Sequence, residues 1–453
     1  MRLSPETLSR LPASVDRFSY DRNAQSTGIV HFGIGAFHRA HQGWYTDLAM
    51  DGGDRDWGIL GVSLRSPNVG RQLNPQSGIY TVSERGMAGD RVRVVGAVQG
   101  VLMARNEAED LIAAIASPAT RIVSFTITEK GYCRSLSGSL DFSLADECSI
   151  YRFLAAGFRQ RRDLGLPGLT LLSCDNLADN GARLAALVGE YLHRVDRTLA
   201  VWFERECTCP ATMIDRIVPA TTDMDRDAVA DALGGVRDEA AVITEPFSQW
   251  IIEDRFAGPR PAWDKVGATL VADVAPYEKA KLRMLNGAHS ALAYLGLERG
   301  YRYVHEAVAD PQLRSLVLAL MRREAAPTVD RAPGQDLEEY AVRLLQRFDN
   351  PALDHRLSQI AMDGSQKIPQ RWLATLSDNR SIGRQCPAIL RALGAWLRHV
   401  RGDSGFVDDP LAEQLAAAWR GNDLAGVARE VFGPAGPLPG VWDFEAKDLS
   451  LLA

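Results

Sequence analysis

The run Thr27 to Phe32 (TGIVHF) is β-rich and passes without a break into Gly33-Ile34-Gly35, then into AFHRAHQGWYTDLAM, whose apolar spacing is helical. Strand, glycine turn and helix in that order make a βα unit, and such a unit commits a chain to a parallel sheet with helical crossovers. The pattern continues. Further strand signals fall at Trp57 to Leu64, Val92 to Val95, Arg121 to Thr128 and Leu169 to Leu172, with helical stretches at Glu107 to Ala116 and Ser149 to Leu164. This alternation predicts a mainly parallel, doubly wound α/β sheet.

One more strand is expected at Val266 to Val274, and beyond it the texture changes. From Pro276 the chain reads as successive amphipathic helices at Tyr277 to Leu295, Asp310 to Glu324, Asp336 to Arg347, Leu357 to Met362, Pro387 to Val400 and Asp409 to Trp419. At 453 residues the chain is too long for one ordinary core. We therefore expect an α/β domain over residues 1–275 and a mainly α-helical domain over 276–453, with a cleft between them as the place for a ligand.

Hydrophobic residues at 46% and charged residues at 24% exclude a disordered chain. The net charge of −6, with no basic run, argues against a nucleic-acid partner. Met1 to Phe18 has no signal-peptide core, and no apolar stretch reaches the roughly 18 residues of a membrane span, so a cytoplasmic location away from membranes is expected. Nothing in the sequence calls for a dimer; a monomer or weak oligomer is expected. Six scattered cysteines (Cys133, Cys148, Cys174, Cys207, Cys209, Cys386) suit reduced thiols, and Cys207-x-Cys209 without a second pair is a weak metal signal.

Gly33-x-Gly35 between strand and helix has the mechanics of a Rossmann-like dinucleotide turn, in which bare backbone lets a pyrophosphate reach the helix N-terminus. His38 stands where a third glycine would complete the pattern, so the pattern alone fits a cofactor loop or an ordinary βα turn. The second strand ends Ser63-Leu64-Arg65-Ser66-Pro67-Asn68 without the acid that holds an NAD ribose. Arg65 can meet the 2′-phosphate of NADP or stand solvated on the surface.

The most informative stretch is Pro276 to Gly296 (PYEKAKLRMLNGAHSALAYLG), read as one helix. At about 100° per residue, Asn286 and His289 fall roughly 140° and 80° from Lys281, so the three share a side with Leu282, Leu285 and Leu292. That side is expected to be buried, and buried polar groups need partners or a purpose. Alcohol oxidation needs a base, and an unperturbed lysine, pKa about 10.4, is neutral in only about one molecule in 2,500 at pH 7. Lowering it to about 7 takes roughly 4.6 kcal/mol, within reach of desolvation plus a positive neighbour such as Arg283 folding inward. An asparagine amide can stabilise the developing alkoxide, and a histidine can hold a substrate hydroxyl. Each residue alone reads first as ordinary helix structure, and only the three together on one apolar side point to chemistry as much as to packing. No Gly-x-Ser-x-Gly elbow and no HExxH occurs.

These residues belong to an ordered series over nearly the whole chain: Gly33 to His41 (GIGAFHRAH), Thr128 to Tyr132 (TEKGY), Ser173 to Asn176 (SCDN), Met213 to Ile217 (MIDRI), Glu245-Pro246-Phe247, Lys281 to His289 and Asp363 to Lys367 (DGSQK). The series resembles the polyol-specific long-chain dehydrogenases, the family of mannitol 2-dehydrogenase and fructuronate reductase. The resemblance implies an NAD(P)-dependent, zinc-independent oxidoreductase acting on a secondary alcohol of a linear sugar acid or polyol. It implies Lys281 as general base, Asn176 and Asn286 as the oxyanion pair, and His289 as orienter of the substrate. Lys367 is implied to face the substrate; a uronate carboxylate wants a cation, and Lys367 or Arg371 can supply it, although either can equally bond hydroxyls. The cofactor is implied to lie along Gly33, Ile34, Gly35, Phe37, Arg65, Asn68, Thr128, Glu129 and Asn176. Asn68 stands where NAD-preferring relatives often have an acid, so NAD is expected with NADP open. Gln359, where mannitol dehydrogenases tend to have arginine, favours D-mannonate/D-fructuronate over D-mannitol/D-fructose. A dinucleotide-binding sensor without turnover is the alternative from another class.

Overall fold

The computed structural model describes residues 1–135, 138–145 and 149–452; Cys148 lies outside the described residues. The chain divides into two compact units, Met1–Val274 and Ala275–Ala453.

The first unit is built on a five-stranded sheet with the order Val98–Met103, Gly58–Ser63, Thr27–Phe32, Ile122–Phe125, Thr170–Ser173, every pair parallel. Parallel sheets are covered on both faces, and these strands show it. Val30, Phe32, Val123 and Phe125 pack on one side with Leu154 and Phe158, while Ile29, Ile59, Ile122 and Leu172 pack on the other with Tyr45 and Trp250. The strand order reverses at Thr27–Phe32, whose two neighbours are reached by crossovers in opposite directions. Ligands bind at such a switch point, outside the carboxyl ends of the strands.

The expected strand at Val92 to Val95 forms as Arg91–Val95 but belongs elsewhere. It lies antiparallel to Tyr80–Glu84 in a separate four-stranded sheet with Asp16–Arg17 and Val242–Thr244. Val98–Met103 takes the edge of the parallel sheet instead. Two strands separated by only Gly96 and Ala97 cannot be told apart by β-propensity, because pairing partners are set by tertiary contacts. The expected strand over Val266 to Val274 shortens to Thr269–Val271, since Trp263–Val266 winds into a 3-10 turn first. It completes a three-stranded sheet with Gln249–Glu253 and Thr212–Asp215. The five described cysteines carry no disulfide.

The second unit is helical around one central element. Ala275–Ala280 is α, Lys281–Asn286 is π, and Gly287–Glu298 is α again. Every residue from Gly287 to Gly296 is buried, as expected of a helix apolar on all sides. Gly296 is required there: a Cβ would lie 2.7 Å from Leu357 Cδ1, so the absent side chain lets the Leu357–Ala361 helix approach. Pro311–Ala319 and Leu337–Phe348 begin on Asp310 and Asp336, each accepting two backbone N–H groups of its helix's first turn. Two further π segments interrupt helices, Leu320–Ala325 and Pro369–Leu373. The expected helix over Asp310 to Glu324 is therefore not uniform. Gly364–Ile368, Pro369–Leu373 and Ala374–Ser381 run on as helix through a stretch whose Gly364 and Pro369 read as breakers.

In the first unit, Asp238 is fully buried and accepts from Gln76 Nε2 (2.7 Å), Thr81 N (2.6 Å), Thr81 Oγ1 (2.7 Å) and Ala240 N (2.8 Å). Replacing it with alanine strands these donors, so Asp238→Ala is expected to lower denaturant stability by about 3 kcal/mol. The shift should appear in the midpoint of unfolding at unchanged slope.

Candidate active site

The Thr27–Phe32 strand ends at Gly33, whose φ of +92° and crowding exclude a side chain: a Cβ would sit 2.1 Å from Thr126 O. Gly35 differs. Its backbone is extended (φ −78°, ψ −175°) as it caps Ala36–Ala40, and an added Cβ would meet nothing nearer than Gly33 O at 3.8 Å. This is open bare backbone before a helix start, so the turn fits a dinucleotide pyrophosphate. Thr126 Oγ1 donates to Gly33 O (2.6 Å) and faces His31 Nε2 (2.9 Å), which locks the turn from beneath.

His38 explains the absent third glycine. Its ring stacks on His31 at 3.4 Å between centroids, and both rings are fully buried. Aromatic stacking replaces the close backbone approach a glycine would give. Burial holds His31 down to about 3 and His38 well below the usual histidine range, so the stacked pair is neutral. Arg39 and Arg216, each from a stretch that carries the resemblance, are structural pins: Arg39 donates to Ala240 O, and Arg216 to Ala40 O and Glu84.

Thr128 (φ 61°) and Glu129 stand exposed in the turn after Ile122–Phe125. Asp175 ties that turn to the neighbouring strand, accepting from Ile127 N (3.0 Å), Thr128 N (2.9 Å) and Tyr132 OH (2.8 Å). Burial raises the Asp175 carboxyl despite these donors. Asn176 follows it, exposed at the carboxyl end of Thr170–Ser173. Gly33, Thr128 and Asn176 thus occupy the carboxyl ends of three adjacent strands. Ile34 is buried and Phe37 half-buried; Arg65 and Asn68 are exposed beyond Gly58–Ser63.

In the second unit Lys281 is only 8% exposed, His289 is likewise buried, and Asn286 is half-buried. The helical wheel needs correction. Lys281 to Asn286 is the π segment, with more residues per turn than an α-helix, so angles projected at a constant step do not hold across it. Leu282, expected inside, is only half-buried, while Leu285 and Leu292 are buried. Arg283 is also corrected: it ion-pairs with Asp378 (2.6 Å), so its charge is met by a carboxylate rather than spent on Lys281.

His289 Nε2 is buried with no hydrogen-bond partner among the described residues. Its ring packs on Phe348 (4.6 Å) and edge-on to His355 (5.3 Å). Burial, then His355, Arg347 and Arg371, push His289 well below the usual range. His355 was not singled out in the sequence, because its meeting with His289 is purely tertiary. Lys367 Nζ donates to Ile360 O and Met362 O, and burial followed by Arg371 lowers its pKa. Arg371 donates to Ser290 Oγ (2.8 Å) and, at longer range, Asn286 O (3.3 Å); burial pushes it down to about 10.

Among the described residues no group of three or more His, Cys, Asp or Glu is placed to hold a metal. Cys207 is pushed up to about 12 by burial. No helix among them is long and apolar enough to cross a membrane.

A parallel sheet that reverses order at a glycine turn is a Rossmann-like, dinucleotide-binding arrangement, and here a helical unit follows it. Residues 27–265 match the mannitol dehydrogenase Rossmann domain, and residues 273–426 match the mannitol dehydrogenase C-terminal domain. The chain belongs to the mannitol dehydrogenase family. It is 42% identical to the D-mannonate oxidoreductase of Escherichia coli (strain K12) over 92% of this chain and 90% of that protein. Its structure is similar to Pseudomonas fluorescens mannitol 2-dehydrogenase, solved as a ternary complex with NAD and D-mannitol: TM-score 0.85, 34% identity, covering 100% of this chain and 95% of that one. A D-sorbitol dehydrogenase solved in substrate-free form gives TM-score 0.90 at 30% identity, covering 99% and 96%.

His355 is held down to about 4 from an ordinary 6.5, so between these values the unfolded chain binds more protons than the folded one. Stability is therefore lost as pH falls from about 6.5 toward 4. His355→Gln is expected to lose less in melting temperature than the parent between pH 7 and pH 5.

Proposed function

We propose that this enzyme interconverts a secondary alcohol of a linear sugar acid with its ketone, with D-mannonate and D-fructuronate as the favoured pair. Its family makes it an NAD-dependent oxidoreductase acting on CH–OH groups. The burial of Lys281, 8% exposed on the central helix of the second unit, is the observation that carries the reading. Burying an ammonium costs free energy and disfavours its charged form, the direction a general base needs.

In this reading the turn at Gly33 and Gly35 holds the pyrophosphate of NAD, with Ile34, Phe37, Thr128, Glu129 and Asn176 along the remainder. Arg65 and Asn68, past the second strand, meet the adenosine ribose. NAD when bound supplies the acceptor or donor of hydride. Lys281 Nζ takes the proton from the substrate hydroxyl during oxidation and returns one during reduction. The amides of Asn176 and Asn286 donate to the oxygen while it carries alkoxide charge. His289 presents its unpartnered Nε2 to a neighbouring hydroxyl, and because burial and its positive neighbours disfavour protonation of the ring, it is a poor proton acceptor.

Three points favour a sugar acid over a neutral polyol. Burial, followed by the charge of Arg371, lowers the Lys367 pKa against the opposing pull of Asp363 and Asp409, and a substrate carboxylate would add to that pull. The E. coli relative named for D-mannonate is 42% identical, against 34% for the P. fluorescens relative solved with D-mannitol. Gln359 adds an uncharged, exposed side chain where mannitol dehydrogenases tend toward arginine.

Assays of D-mannonate, D-mannitol and D-arabinitol with NAD and NADP test this. D-Mannonate with NAD is expected to exceed D-mannitol in kcat/KM by about tenfold or more, and Lys367→Met to raise KM for D-mannonate by a similar factor while sparing D-mannitol. Equal or reversed preference would remove the sugar-acid assignment.

A further inference from the structure

Arg371 and Trp372 come from the π segment Pro369–Leu373, and both reach the central helix where its own π segment ends. Arg371 spans Asn286 O (3.3 Å) and Ser290 Oγ (2.8 Å), one helical turn apart. Trp372, fully buried, donates its indole N–H to Gly287 O (3.1 Å). The carbonyls of Asn286 and Gly287, and the hydroxyl of Ser290 one turn further on, are thus clamped by two consecutive residues of another helix.

The clamp is costly. The half-buried guanidinium loses much of its hydration, which lowers its pKa, and here it bonds a carbonyl and a hydroxyl rather than a carboxylate. Apolar packing is present at the same place, where Leu320 and the Trp372 indole lie against Gly287. The charge is placed where helix phase matters most. A π segment sets the rotation of everything that follows it, and a change of register at the joint would turn both Asn286 and His289 away from their present directions.

We infer that Arg371 is a positioning residue, which fixes the rotation of the helix at its π-to-α joint and so aims the Asn286 amide and the His289 ring at the reacting alcohol. This rests on the reading of Asn286 as a donor to the alkoxide. It differs from a substrate-binding role for Arg371 in what it does to kinetics. Misaimed donors lose stabilisation of the transition state and lower kcat, whereas loss of a substrate cation raises KM.

Steady-state kinetics on Arg371→Met, Arg371→Lys and Ser290→Ala, with NAD affinity from nucleotide fluorescence, separate these. Arg371→Met is expected to lower kcat by about thirtyfold or more with KM and NAD affinity within about threefold. Arg371→Lys should recover part of the loss, since it can reach one acceptor but not bridge two, and Ser290→Ala should fall between parent and Arg371→Met. A rise in KM at unchanged kcat, or kcat within about twofold of the parent, would overturn the inference. If Arg371→Met does not fold by circular dichroism, normal kcat in both Arg371→Lys and Ser290→Ala overturns it equally. Asn286→Ala measured alongside distinguishes the failures: normal turnover there removes the role of Asn286 itself, while impaired Asn286→Ala beside a normal Arg371→Met removes only the clamp.

Discussion

A helix buried on nearly every side must satisfy each polar group it carries, and Ala275–Glu298 carries Lys281, Arg283, Asn286, His289 and Ser290 in ten residues. The surrounding structure answers most of them. Arg283 goes to Asp378, and Ser290 and the Asn286 carbonyl go to Arg371. What stays unanswered is His289 Nε2, held neutral by burial in a field of positive neighbours. Desolvation is free energy that folding must offset elsewhere, and the proposed function gives these buried polar groups a use.

The π segment gives this helix its particular character. It coincides with the stretch from Lys281 to Asn286, and π turns inside α-helices concentrate at functional positions. Extra residues in one turn re-aim the side chains beyond it without moving the helix axis far. The first unit uses a different device to the same end. Gly33 places a turn at φ +92° under the hold of Thr126 and His31, and Asp175 ties the turn at Thr128 to the strand that leads to Asn176. In both units a rigid element, rather than a free loop, presents the groups that matter.

Much of this was legible in the sequence. Thr27–Phe32 needed only β-propensity and a following glycine pair, and the strands at Gly58–Ser63, Ile122–Phe125 and Thr170–Ser173 announced themselves as short apolar runs. Sheet membership was not legible: Arg91–Val95 and Val98–Met103 look alike along the chain and diverge only in pairing. The candidate site residues stand out in the sequence as a set because their order resembles that of a family, while their geometry does not. A constant helical step cannot register a π segment, the turn of Arg283 toward Asp378 depends on a residue 95 positions away, and His355 meets His289 only through the fold. Arg371, expected as a substrate cation, bonds Ser290 Oγ and the Asn286 carbonyl in the structure.

The account stands on Lys281 as the group that moves the proton. Single-turnover mixing of Lys281→Ala with saturating D-mannonate and NAD, followed at 340 nm, measures the hydride step apart from substrate binding and product release. The account predicts that this variant still binds NAD and forms its first equivalent of NADH slower than the parent by about three orders of magnitude or more, as loss of a general base requires. A burst at the parental rate would contradict it.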